Sequence, residues 1–100
     1  MIVVTGYLTI DPEKRTEAEA AIAAFVPQTL AEDGCVDYRF SWDSLDPNRL
    51  NGMEQWESQA AIDGHMASAH MAEFMGAIGG CLGGGVEFIA HEVSSSTKLI

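Results

Sequence analysis

The stretch from Leu50 to Met75 reads LNGMEQWESQAAIDGHMASAHMAEFM, and the change of period within it decides the fold. Residues 50 to 57 alternate like a strand, with Gly52, Glu54 and Trp56 on one face and Met53, Gln55 and Glu57 on the other. Ser58 stops that strand. Its hydroxyl can accept from the first free amides of a helix, and the helix formers Gln59, Ala60, Ala61 and Ile62 follow. A helix is predicted from about Gln59 to Ala67, and Ser68 can cap a further one carrying Met71, Phe74, Met75, Ile78 and Leu82 at helical spacing. The stretch also holds His65 and His70, so the chemistry is expected here.

Working outward, residues 2 to 10 alternate with many β-branched types and predict a first strand. Asp11 and Pro12 suit the start of a helix, whose buried stripe would be Ala18, Ile22, Phe25, Val26 and Leu30, with a kink at Pro27 and an end near Asp33-Gly34. Val36, Tyr38, Phe40 and Trp42 alternate with Asp37, Arg39 and Ser41 in a second strand. The turn at Ser44 to Asn48 joins it to the third as a hairpin. Gly83 to Gly85 reads as a turn before a fourth strand built on Val86, Phe88 and Ala90. The order βαββαβ predicts an α+β, ferredoxin-like fold, an antiparallel four-stranded sheet with helices on one face. Residues 1–93 form one domain in this reading, with 94–100 as a C-terminal tail. Tyr7, Ile89, Val93 and Met53 fall on the face opposite the helices, where an apolar patch marks an interface.

Composition narrows the function. Of 100 residues, 47% are hydrophobic and 20% charged, which is the balance of a folded domain. Fifteen acidic against five basic residues give a formal charge of −10, which repels nucleic acid and anionic membrane surfaces. No apolar run reaches spanning length, and MIVVTGY lacks the basic and apolar regions of a secretory signal, so a cytoplasmic location is expected. Cys35 and Cys81 form no C-x-x-C pair. His65 and His70 lie five residues apart, about 140° around a continuous helix, which is wrong for two ligands on one face; no metal site is expected. No dinucleotide or phosphate-binding loop is present, and no cofactor is expected.

The run Glu54-Gln-Trp56-Glu-Ser58, followed by Ala61, His65, Ser68 and His70, resembles the antibiotic biosynthesis monooxygenase (ABM) family. Glu32-Asp-Gly34-Cys35-x-x-Tyr38 and Asp46-Pro47-Asn48 resemble two further segments of that family, in the same order. The resemblance implies a homodimer whose two sheets pair into a dimeric α+β barrel, and cofactor-independent oxygenation of an electron-rich phenol or quinol by dioxygen. In that reading Trp56 is pocket wall and N–H donor, His65 or His70 is the base, and Tyr38, Phe40, Glu54, Met66 and Phe74 line the pocket. Each residue also has a structural reading: Trp56 as a core aromatic, Glu54 as a carboxylate bonded to a helix amide or to His65, the methionines as helix core. A haem-degrading branch of the superfamily has an asparagine on strand one, where this chain reads Val4-Thr5-Gly6-Tyr7, and a tryptophan near the position of His65; haem degradation is disfavoured. The alternative from another class is a non-catalytic dimeric domain that binds a small aromatic or lipid-like ligand.

Overall fold

The computed structural model describes residues 1–100. Four strands, β1 (Ile2–Ile10), β2 (Cys35–Trp42), β3 (Arg49–Trp56) and β4 (Leu82–Glu92), form one antiparallel sheet in the order β2-β3-β1-β4. The helices are α1 (Arg15–Leu30), α2 (Gln59–Met66) and α3 (Ala69–Gly79). The expected βαββαβ arrangement is therefore present, with its second helical segment broken in two. After Glu92 the chain carries no helix or strand, and Val93 N–H bonds back to the Met1 carbonyl at 3.0 Å.

Alternation along the strands builds the core. Ile2, Val4, Leu8 and Ile10 of β1 lie beside Leu50, Glu54 and Trp56 of β3 on one buried face, closed by Ala18 and Phe25 of α1 and by Phe74 and Ile78 of α3. Burying a side chain of this size contributes roughly 1.5–3 kcal/mol. On the opposite face Arg39, Met53, Thr5 and Ile89 align in one row across all four strands.

Several expectations are corrected. Asp11 caps a 3-10 turn (Pro12–Lys14) by accepting from Glu13 N–H at 3.0 Å, and α1 begins only after it. The helix ends at Leu30 rather than near Asp33-Gly34, and its last turn buries Thr29 while Leu30 is 46% exposed. In β2, Cys35 pairs with Trp56 and Asp37 with Gln55, so Val36 is an extra residue in a bulge. The bulge turns Val36 out to solvent and lets Cys35 pack against the core in its place. Leu82, expected on a helix stripe, opens β4, which also absorbs the glycines read as a turn. A Cβ at Gly83 would sit 2.9 Å from Asp11 Cα and one at Gly84 2.9 Å from Thr9 Cγ2, so only a bare backbone can lie this close to β1.

Candidate functional site

Three local devices bring the expected residues together. Ser58 caps α2 by accepting from Ala61 N–H at 3.2 Å, which swings His65 back over the end of β3. Ser68 breaks the helical segment: its hydroxyl donates to the His65 carbonyl at 2.7 Å and accepts from Met71 N–H at 3.2 Å, and α3 sets off in a new direction. Gly34, at φ 82°, makes the turn between α1 and β2, and its carbonyl accepts from Glu57 N–H at 2.9 Å. That turn carries Glu32 to the same place.

The result is a buried polar knot in an aromatic shell. Glu32 Oε2 lies 2.7 Å from His65 Nδ1 and 3.0 Å from His70 Nε2, so one carboxylate oxygen holds both rings. The His65 ring is 4.8 Å from Trp56, 5.5 Å from Tyr38 and 5.6 Å from Phe25, centroid to centroid. Phe25 stacks on Phe74 at 4.1 Å and lies 5.8 Å from His70. Phe40 closes the shell against Tyr38 and Phe74.

Trp56 is fully buried, and its indole N–H donates to Glu54 Oε1 at 2.8 Å. Glu54 thus bonds neither to a helix amide nor to His65, as the sequence suggested, but to the tryptophan two residues along its own strand. Burial pushes the Glu54 carboxyl above the usual carboxylate range, opposed in part by the Trp56 N–H and by His65. Burial likewise raises the Tyr38 hydroxyl, with the Glu54 charge adding to it, and holds the Cys35 thiol up at about 11, with Glu32, Glu54 and Asp37 adding to it. Both groups are therefore neutral at physiological pH.

Of the eight expected site residues, seven converge: Trp56, His65, His70, Tyr38, Phe40, Glu54 and Phe74. Met66 does not. It follows His65 on a helix, where neighbours point about 100° apart, and it is 60% exposed. Met75 is exposed as well, which leaves Met71 packed against the core. His65 and His70 would face apart on one continuous helix, but the break at Ser68 places them on two helices and lets both reach Glu32. The absence of a metal-like cluster is also corrected, because ligand atoms of Glu32, His65 and His70 all lie within 4.8 Å of one another. Glu32 was visible only as part of a family-like segment, since 33 and 38 positions separate it from its partners.

Three grooves open around the cluster. An open one of about 750 Å³ runs between α1 and β2 and is lined by Ile22, Val26, Tyr38, Phe40 and Gly52. A narrow one of about 140 Å³ between α1 and α3 is lined by Phe25, His70 and Phe74. A third, of about 480 Å³, opens beside Glu32 and is lined also by Asp33, Glu57 and Ser58.

A single antiparallel sheet with its helices on one face, and a tryptophan-histidine cluster at the strand-to-helix junction, defines a small ferredoxin-like α+β domain. The chain belongs to the antibiotic biosynthesis monooxygenase family, whose sequence model matches residues 1–77. It is 31% identical to a Bacillus subtilis protein named "Putative monooxygenase YcnE", over 75% of this chain and 79% of that one. It is 33% identical to an Escherichia coli protein named "Probable quinol monooxygenase YgiN", over 58% of this chain and 64% of that one. An uncharacterised Synechocystis protein is 32% identical over 74% of this chain, which spans half of that relative's length. The fold superposes on a Deinococcus radiodurans crystal structure of the same family with a TM-score of 0.92, at 21% identity, covering 100% of this chain and 99% of that one. No helix is long and apolar enough to cross a membrane.

Proposed function

We propose that the chain is a cofactor-independent monooxygenase acting on an electron-rich phenol or quinol, and that it works as a homodimer joined sheet to sheet. The observation that carries this reading is the pair of imidazoles held by one carboxylate against an aromatic wall. His70 is the base. Its side chain is 16% exposed against 2% for His65, and it lines the groove beside Phe25 and Phe74. With Nε2–H donated to Glu32, the Nδ1 lone pair is left to take the substrate's hydroxyl proton, and the Glu32 charge stabilises the imidazolium that forms. The phenolate passes one electron to dioxygen; the resulting radical and superoxide combine into a hydroperoxide, which loses water to leave a quinone. One dioxygen is consumed, one of its oxygens enters the product and the other leaves as water.

In this scheme Trp56 is the apolar floor under His65, with its N–H committed to Glu54, Phe25 and Phe74 flank the flat substrate beside His70, and Tyr38 and Phe40 back them from the neighbouring groove. The relatives' printed names, a monooxygenase and a quinol monooxygenase, support the same substrate class. The test is oxygen uptake with a panel of quinols and hydroxynaphthalenes. Wild type should consume oxygen, and His70→Gln should slow it by about 10²–10⁴-fold with an unchanged melting temperature. Saturable binding of these compounds without any uptake would replace this reading by the non-catalytic ligand-binding domain.

A further inference from the structure

We infer that Glu32, His65 and His70 form a binding site for one divalent transition-metal cation of the zinc, cobalt or nickel kind. The donor set is two imidazole nitrogens and one carboxylate oxygen, contributed by the turn after α1, by α2 and by α3. Imidazole favours these borderline cations, whereas calcium and magnesium require oxygen ligands in larger number. Zinc–nitrogen and zinc–oxygen bonds near 2.0–2.2 Å at tetrahedral angles set ligand atoms about 3.3 Å apart. The three atoms here lie within 4.8 Å of one another, with 2.7 and 3.0 Å between the carboxylate oxygen and each nitrogen. Admitting a cation therefore requires Glu32 to back away by under 1 Å and the two nitrogens to approach. His65 is locked among Trp56, Tyr38 and Phe25, but His70 and Glu32 are each 16% exposed, and Glu32 sits on a turn.

The approach to the site suits a cation. The groove beside Glu32 is lined by Glu32, Asp33 and Glu57 in a chain of formal charge −10, so it concentrates positive ions at its floor. The aromatic shell behind His65 excludes water from the far side. Three protein ligands leave the fourth position of a tetrahedral cation to water.

Binding of the metal does not depend on the oxygenase reading, but its consequence does: a cation on His70 and Glu32 removes the carboxylate that supports the base, so metal and turnover are alternatives. The test uses chelator-stripped, full-length protein titrated with zinc alone by calorimetry, and with cobalt alone by visible absorption. One ion per chain is expected, with a cobalt d–d spectrum of tetrahedral type. His70→Gln and Glu32→Gln should each weaken binding by more than about a hundredfold, since losing an outer hydrogen-bond partner of a ligand already costs 10–100-fold. His91→Ala, which alters a histidine on the far sheet face beside Thr5, should bind like wild type. A wild-type protein that takes up less than one ion per chain, or a His70→Gln variant that binds like wild type, overturns the site. Quinol-dependent oxygen uptake that continues unchanged in the zinc-loaded protein would leave the site standing and refute His70 as the base.

Discussion

The buried pair Glu54 and Trp56 makes a prediction whose sign is set by electrostatics. Glu54 is 9% exposed and its Oε1 accepts from the indole N–H at 2.8 Å. Its other oxygen has no protein partner but is not fully enclosed, since Thr29 Oγ1 is the one buried side-chain polar atom left without a bond. Replacement by glutamine keeps the shape and the accepting oxygen, and places the amide nitrogen where water can reach it. What disappears is the buried charge. Because burial raises the Glu54 carboxyl above its ordinary 4.5, the fold favours the neutral acid. That contribution is full below pH 4.5 and is lost as pH rises through the folded value, so at pH 7 the wild type carries the cost of ionising a desolvated group. Glu54→Gln, which removes that charge and keeps the acceptor, should therefore be the more stable protein at pH 7. In a domain of this size each 1 kcal/mol moves the melting temperature by about 4–8 °C, so the gain is read as a rise in that temperature. Glu54→Ala should do the opposite, because it strands the indole N–H at about 1–3 kcal/mol and leaves a void. Thermal unfolding of the three proteins at pH 7 and pH 4 is the assay. The gap between Glu54→Gln and wild type should close at the lower pH; a glutamine variant that is less stable at pH 7, or a gap independent of pH, would refute the reasoning.

Two further outcomes follow from groups that lack partners. Thr29 is fully buried with its hydroxyl unbonded, so Thr29→Val should raise stability by about 1 kcal/mol in urea unfolding, and an unchanged or lowered midpoint would show that a water satisfies the hydroxyl. The sheet face carrying Met53 and Ile89 is open, with Ile89 47% exposed, so sedimentation at micromolar protein should find a dimer and Ile89→Asp should shift it to monomer; a wild-type monomer would end the sheet-to-sheet proposal.

The sheet was legible because alternation is a local property. In β3 every second residue from Leu50 to Trp56 is buried, as the period of two requires. The bulge at Val36 was not legible, because Val36, Tyr38, Phe40 and Trp42 keep perfect phase in sequence. What displaces Val36 is its partner strand, where Trp56 and Gln55 pair with Cys35 and Asp37 and leave it no place in the ladder. The glycines of β4 misled for a related reason: a run of glycine signals a turn when read alone, yet here it answers the closeness of Thr9 on the neighbouring strand and of Asp11 just after it.

The site shows the same limit more sharply. Each of its corners carries a local signal: a serine that caps α2, a second that caps α3, and a glycine with positive φ after α1. None of those signals states that the three chain ends meet. Their meeting is fixed by contacts that join distant residues, such as the Gly34 carbonyl on Glu57 N–H, which ties the turn bearing Glu32 to the start of the helix bearing His65. Spacing on one helix therefore misjudged the two histidines. Ser68 sends α3 off in a new direction, and His70 returns to His65 from another element with the carboxylate already between them. One carboxylate oxygen serves both imidazoles, so the three residues are coupled through it. The proposed mechanism draws its base from that unit, while the Trp56 N–H is committed to Glu54.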